Sequence, residues 1–255
     1  MTKIGVLIPS TTNMRDWNCI TDTYLYKSII SFVSKSNSDY SYKFYIGIDK
    51  DDKIYSDKSQ RRKIYDLCST WNHINIQFYP VEETQAPKGH VTIIWNILYK
   101  KAIEEHCDYF WACGDDIIYC DDGWLEDCIQ ELKKTKHLGT AGTYNGNGRI
   151  ITQFLVTQTH YAIFNRLFPP QIRNWYCDDY MNELYSPNFL HVINKRCINA
   201  GGEPRYIVQQ APFYKDLVKE DKIKLLSFIK TNGGYSHYRG IKGKAGKGSK
   251  SSKPT

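Results

Sequence analysis

Short apolar runs alternate with amphipathic segments along the first 140 residues of the chain. The runs have the length of β-strands, the first at 4–9 and the second at 42–48, and the segments between them repeat apolar residues at helical spacing. A regular alternation of strands and helices is typical of βαβ units. The pattern therefore predicts an α/β fold in which helices flank a mainly parallel central sheet.

The remaining elements are predicted from the same periodicities. Helices are expected at 16–33, 57–71, 91–106 and from residue 123, and strands at 75–79 and 109–113. Residues 139–156 are predicted to form two strands joined by a Gly/Asn turn at 145–148, and residues 213–228 a helix. The segment 167–185 contains Pro169 and Pro170, breaks the alternation and is expected to hold one short helix.

Polar and acidic side chains follow three of the predicted strands directly. Loops after parallel strands meet at one edge of the sheet, where ligands bind in open α/β folds. Carboxylates gathered there repel one another unless a cation lies among them, and oxygen ligands favour Mg²⁺ or Mn²⁺. The residues concerned are Pro9, Ser10, Thr11, Asp49, Asp51, Asp52, Asp115 and Asp116. The sequence therefore indicates a metal-assisted binding site at this edge.

The adjacent carboxylates Asp115 and Asp116 are expected to have different roles. Neighbouring residues in an extended segment point to opposite faces, so both reach one ion only if a turn separates them. We assign Asp116 as the metal ligand and Asp115 as a contact to a ribose or to the metal through water, with the reverse order as the alternative. A solvated turn is the competing interpretation of Gly-Asp-Asp, and of the acidic run that begins at Asp49.

The formal net charge of +7 is concentrated at the C-terminus. Five lysines fall within 242–255, which contains no acidic residue, and residues 1–241 carry a net charge of +2. A Lys, Gly and Ser segment with almost nothing to bury is expected to be disordered, as a solubilising end or a tether to phosphate or an anionic membrane. The near-neutral body argues against a non-catalytic nucleic-acid-binding protein, because phosphate backbones are held by Lys and Arg.

The eight cysteines lack the C-x₂-C spacing of a zinc site, so most are expected to be free thiols. The N-terminus has too few consecutive apolar residues for a signal sequence, and no stretch reaches the ~18 apolar residues of a membrane span. These observations predict a reducing, cytoplasmic location without a transmembrane segment.

The order of these motifs resembles the nucleotide-sugar glycosyltransferases of the GT-A fold over about residues 1–135. The shared features are PSTT after the first strand, DKDD after the second, Asn96 in a helix, CGDDI after a later strand, and then a helix that opens with GWLED. The chain departs from the family pattern at Gly114, where the first Asp of the metal motif often stands, and at Trp95, where many members have Arg. In that family the carboxylates after the strand bind the metal that bridges the donor's two phosphates.

The resemblance implies one Rossmann-like GT-A domain over 1–241, with a nucleotide-sugar-binding half at 1–135 and an acceptor-binding half at 136–241. It implies Mn²⁺ or Mg²⁺ bound by Asp116 and Asp115, and a nucleoside diphosphate sugar donor, with uridine favoured because most members use it. The residues that it assigns to donor binding are Pro9, Ser10, Thr11, Asp49, Asp51, Asn96 and Asp115. A glycan, a glycoprotein or a glycolipid would be the acceptor.

The second half contains NWYCDDY, which resembles the acceptor region of inverting, family 2-like members. The likeness implies that Trp175 and His160 line the acceptor site and that Asp179, or alternatively Asp178, is the catalytic base. Without the resemblance, CDDY is an acidic first helical turn that suits the helix dipole, and His160 is equally well a structural histidine. The segment SHYRGIKGK resembles a C-terminal motif of retaining members, in which His237 would be a metal ligand.

Two further interpretations remain open. A sugar-phosphate nucleotidyltransferase would use the same sheet and metal, but it usually has a Gly-rich, basic loop after the first strand, which PSTTNMRDW lacks. Similar chains occur in large DNA viruses, and a viral origin would place the protein in the host cytoplasm or the virion.

Overall fold

The computed structural model of the chain describes residues 1–144 and 150–238. The predicted turn at 145–148 and the predicted tail at 242–255 lie outside these residues. Inside them, the sheet and its flanking helices follow the predicted alternation up to residue 134, except for an additional short strand at Ile117–Tyr119.

Eight strands form one curved sheet. The strand order is β3-β2-β1-β4-β7-β6-β8-β5. The pairs β1–β2, β2–β3, β1–β4 and β6–β8 are parallel, and the other three pairs are antiparallel. The strands are β1 (Thr2–Ser10), β2 (Tyr40–Asp49), β3 (Ile74–Val81), β4 (Tyr109–Ala112), β5 (Ile117–Tyr119), β6 (Thr140–Tyr144), β7 (Phe154–Thr157) and β8 (Leu190–Asn199). The predicted α/β class with a mainly parallel sheet is therefore confirmed.

Helices cover both faces of the sheet. They are α1 (Tyr24–Ser34), α2 (Lys58–Cys68), α3 (Val91–Glu104), α4 (Trp124–Lys134), α5 (Gln158–Phe164), α6 (Cys177–Tyr185), α7 (Tyr214–Thr231) and α8 (Gly234–Tyr238), with a 3-10 turn at Ile20–Asp22. Helix α1 begins eight residues later than the predicted residue 16, because the Thr23 hydroxyl caps it by accepting a hydrogen bond from the Tyr26 amide at 3.3 Å.

Strand β1 lies at the centre of the sheet and is buried from Ile4 onward. Val6 and Ile8 belong to the hydrophobic cluster on the side of α1, whereas Leu7 belongs to the cluster on the side of α3. This alternation is the two-residue period of a strand that is covered on both faces. Close packing of α3 on the sheet requires Gly47, where a Cβ would lie 2.4 Å from Cγ2 of Ile94.

The second half departs most from the sequence-based expectations. Strand β5 and strand β8 pair with each other at the edge of the sheet, and neither they nor helices α5 and α8 are predicted from the sequence. The eight cysteines are all free, as most were expected to be. Among the residues that the structure describes, no helix has the length and apolar content needed to cross a membrane.

Candidate active site

A cavity of about 280 Å³ opens at the carboxyl ends of β1 and β2, beside the residues that follow β4. Of the residues singled out from the sequence, it is lined by Pro9, Ser10, Thr11, Asp49, Asp116 and Trp175. The parallel strands β2, β1 and β4 bring together residues that are about 100 positions apart in the chain. The cavity therefore lies at the edge of the sheet where ligands are expected in this class of fold.

Asp115 is completely buried beneath this cavity. The Ser10 hydroxyl donates a hydrogen bond of 2.5 Å to its Oδ2, and the Tyr55 hydroxyl lies 3.1 Å from Ser10 Oγ. The guanidinium of Arg205 contacts both carboxylate oxygens in a bidentate ion pair. The carboxylate is thus paired and hydrogen-bonded, as a buried charge must be.

Asp116, unlike Asp115, lines the cavity. Its carboxylate packs against Gly201, where an added Cβ would lie 1.7 Å from Asp116 Oδ2. Burial raises the pKa of Asp116 to about 6, with a further contribution from the negative charge of Asp115 and a partial offset from Arg205. The two neighbouring carboxylates therefore face different surroundings.

The acidic run after β2 divides into three roles. The Thr11 hydroxyl donates to Asp49 Oδ2 at 2.9 Å, and the Tyr206 hydroxyl donates to the same oxygen, so Asp49 forms one wall of the cavity. Asp51 is exposed, and its hydrogen bond of 2.5 Å from Lys88 Nζ lowers its pKa. It lies at a second, adjoining cavity of about 520 Å³ that shares Thr11, Asp49 and Tyr206 with the first.

Asp52 is the structural member of the run. Its Oδ2 accepts a hydrogen bond of 2.6 Å from the Thr12 amide, and its Oδ1 accepts from the Thr12 hydroxyl at 2.8 Å. The amides of Ile54 and Tyr55 donate to the same Oδ1 at 3.0 and 2.9 Å. Asp52 therefore holds the loop after β1 against the loop after β2 and sets the position of Thr11.

The loop at 200–209 completes the cavity, and this role was not predicted from the sequence. Gly201, Gly202, Glu203, Pro204, Arg205 and Tyr206 contribute to its wall. Gly-Gly and Pro in this segment signal a loop. No local pattern, however, indicates that Arg205 meets Asp115 or that Tyr206 meets Asp49, because these contacts join residues 90 and 157 positions apart.

Two of the predicted site residues, Asn96 and His160, do not line the cavity. The Asn96 side chain binds the backbone of Leu167 and Phe168 through two accepted bonds of 2.9 Å and one donated bond of 2.8 Å. His160 is buried, with Nδ1 2.7 Å from the Tyr185 hydroxyl and Nε2 3.1 Å from the Leu167 carbonyl oxygen. Both side chains therefore form hydrogen bonds with the backbone at Leu167 and Phe168.

His237 lies near the N-terminal end of strand β4, whereas the carboxylates follow its C-terminal end. Its imidazole is 3.1 Å from Lys136 Nζ, and the neighbouring His137 contacts the hydroxyl of Tyr109 at the start of β4. Asp116 comes after the other end of the same strand. The structure does not bring His237 to the carboxylates.

The predicted acceptor side lies at the start of α6. Trp175 is 48% exposed and lines the cavity. The side-chain amide of Asn174 donates a hydrogen bond of 3.1 Å to the Ile207 carbonyl in the 200–209 loop. Asp178 and Asp179 form the acidic first turn of α6 and are partly buried. The acidic pair therefore follows Trp175 in the aromatic wall of the cavity by three and four residues.

The Asp116 carboxylate could hold a divalent cation in this cavity. The carboxylate is a hard oxygen donor, and its charge is disfavoured by burial and by Asp115, a condition that a cation relieves. Within 1–144 and 150–238, no group of three or more His, Cys, Asp or Glu side chains is arranged to hold a metal by itself. Mg²⁺ and Mn²⁺ accept one carboxylate completed by phosphate oxygens and water, so such an ion would depend on a phosphate ligand.

Comparison with solved structures finds the same fold in proteins that bind nucleotide sugars. The S. aureus TarS fragment 1–349 in complex with UDP-GlcNAc matches with a TM-score of 0.56 at 12% identity, over 89% of this chain and 67% of that one. The mannosyltransferase PcManGT from Pyrobaculum calidifontis, in complex with GDP-Man and Mn²⁺, matches with a TM-score of 0.54 at 10% identity, over 88% and 70%. The chain has the GT-A fold. No protein-family profile matches its sequence, and no curated protein sequence matches it significantly.

Proposed function

We propose that this protein is a metal-dependent glycosyltransferase that moves a sugar from a nucleoside diphosphate sugar, preferably a UDP-sugar, to a hydroxyl group. The observation that carries the proposal is the Asp116 carboxylate in a cavity at the carboxyl ends of β1 and β2. The solved structures of the same fold in complex with UDP-GlcNAc, and with GDP-Man and Mn²⁺, support it.

Each carboxylate on the proposed donor side of the cavity would bind a different part of the donor. Asp116, with Asp115 as a second oxygen ligand, would hold Mn²⁺ or Mg²⁺ against the donor's two phosphates. Bound there, the ion supplies Lewis-acid stabilisation of the negative charge on the leaving nucleoside diphosphate. Thr11 and Asp49, already joined by a hydrogen bond of 2.9 Å, present a hydroxyl and a carboxylate to the nucleoside, and Asp51 extends this wall into the adjoining cavity.

The acceptor side would be formed by Trp175 and the first turn of α6. An aromatic ring that is half exposed at the cavity suits the apolar face of a sugar ring. Asp179, with Asp178 as the alternative, would accept the proton of the acceptor hydroxyl. The oxygen of that hydroxyl would attack the anomeric carbon from the side opposite the leaving phosphate. A single displacement of this kind inverts the configuration at that carbon. The position of His237 away from the carboxylates gives no support to the retaining alternative.

The proposal is tested with a panel of nucleotide sugars in Mn²⁺, Mg²⁺ or EDTA. We expect metal-dependent donor hydrolysis or transfer that is lost in both Asp116→Ala and Asp179→Ala, and nucleotide binding that is weakened mainly by Asp116→Ala. Asp66→Ala, at an exposed position on α2, is the matched control because it removes a carboxylate outside the cavity. If no nucleotide sugar binds wild type with either metal, the proposal is refuted.

A further inference from the structure

Arg205 supplies the positive charge that faces the buried carboxylate of Asp115. Its guanidinium contacts both oxygens, and its own side chain is only 17% exposed. A planar guanidinium meeting a carboxylate in this bidentate geometry is the strongest of the side-chain ion pairs. Because Ser10 also donates to Oδ2 at 2.5 Å, little of the carboxylate is left to coordinate anything else.

Several contacts besides the ion pair hold Arg205 in this place. Its Nη1 donates to the Thr11 carbonyl at 3.1 Å, and the Asn13 side-chain amide donates to the Arg205 carbonyl at 2.5 Å. The guanidinium of Arg15 donates to the Gly201 carbonyl at 3.2 Å. The loop at 200–209 is therefore tied to the loop after β1 at Gly201 and at Arg205, which places the guanidinium at the carboxyl end of β1.

A divalent cation at Asp115 and the Arg205 guanidinium would occupy the same side of the carboxylate. Two positive groups at that distance repel each other, and a unit charge within ~4–6 Å changes the affinity of a charged site by about tenfold or more. The donor's diphosphate removes this conflict, because its oxygens bind both a guanidinium and a metal ion. Metal and arginine are then compatible only when the nucleotide is present.

We propose that Arg205 is the resident counter-cation of the donor site. In the nucleotide-free protein it neutralises Asp115 and keeps a divalent cation from that carboxylate. When a nucleoside diphosphate binds, the guanidinium moves to the phosphate oxygens and Asp115 becomes available to the metal. Arg205 is thus a positioning residue that makes metal binding depend on nucleotide binding, and the idea rests on the proposed function of the same cavity.

The test is Mn²⁺ binding to the nucleotide-free protein, measured by calorimetry or by electron paramagnetic resonance. Arg205→Met keeps most of the side-chain length and removes the charge, so we expect it to bind Mn²⁺ at least about tenfold more tightly than wild type. Arg205→Lys keeps the charge and should bind Mn²⁺ as weakly as wild type. Arg62→Met removes one exposed positive charge on α2 and is the control for the change in net charge.

A folded Arg205→Met protein that binds Mn²⁺ no more tightly than wild type would overturn the proposal. If this variant is unstable without metal, its melting temperature should rise with Mn²⁺ concentration more steeply than that of wild type, and an equal rise would count against the proposal. Failure of every nucleotide to bind wild type would refute the glycosyltransferase function, but it would leave the nucleotide-free Mn²⁺ comparison unaffected.

Discussion

Asp52 offers the sharpest test of how the loops of the proposed donor site are held together. We expect Asp52→Asn to lower the free energy of unfolding by about 2–3 kcal/mol, the scale of a buried, charge-assisted hydrogen bond whose donor is left without a partner. An asparagine keeps one oxygen, which can still accept from Ile54 and Tyr55 as Oδ1 does now at 3.0 and 2.9 Å. Its amino group then faces the Thr12 amide, which now donates to Oδ2 at 2.6 Å.

The measurement is urea unfolding of wild type and variant, followed by circular dichroism and by tryptophan fluorescence. Asp51→Asn is the matched control, because this neighbouring carboxylate is exposed and is paired with the exposed side chain of Lys88. The control should be close to wild type, since exposed ion pairs contribute little. Equal stability of the Asp51 and Asp52 variants would refute the reasoning. Because Asp52 also sets the position of Thr11, its variant should bind nucleotide more weakly at temperatures where it is still folded.

Three other predictions concern the core and the cavity. Burial lowers the pKa of His160 to about 4, so below its unfolded value of ~6.5 only the unfolded chain gains the proton. The contribution of His160 to stability should therefore fall by up to about 3 kcal/mol between pH 6.5 and 4, and this difference should separate the unfolding curves of wild type and His160→Gln against pH. Gly201→Ala should displace the Asp116 carboxylate, because the added Cβ would lie 1.7 Å from Asp116 Oδ2. We expect metal-dependent nucleotide binding to drop about tenfold or more with little change in melting temperature, and unaltered binding would contradict this reasoning. Gly47→Ala should cost about 1–3 kcal/mol by overpacking, and urea unfolding of the double variant with Ile94→Ala should show less destabilisation than the sum of the two single variants.

The sequence predicts the first half of the fold well because its signals there are local. Buried parallel strands appear as apolar runs, and Pro9 to Thr11 and Asp49 follow such runs directly, so their meeting at one edge follows from the βα alternation alone. Strand β8 is half exposed and its partners β5 and β6 come from distant parts of the chain, so its period carries little information about where it pairs. The assignments of Asn96 and His160 depended on resemblance, and the structure places both side chains in contact with the turn near Leu167.

Several of the proposed roles depend on geometry that a sequence does not encode locally. Asp115 and Asp116 are adjacent, yet one is paired with Arg205 and the other lines the cavity, and only the arrival of a loop 90 residues later separates them in this way. The burial of Asp52 could not be predicted from the sequence either. It belongs to an acidic run that predicts a solvated turn, but its burial comes from the backbone amides that surround it.

The pairing of β5 with β8 has a consequence for the order in which the protein acquires its site during synthesis. Asp115 and Asp116 lie between β4 and β5, and the Asp116 carbonyl accepts a hydrogen bond of 2.8 Å from the Ala200 amide just after β8. A nascent chain that has emerged only as far as β7 has both carboxylates but lacks the strand that fixes β5 and the arginine that neutralises Asp115. Since domains emerge from the ribosome N-terminus first, the cavity should remain incomplete until the ribosome has passed residue 206.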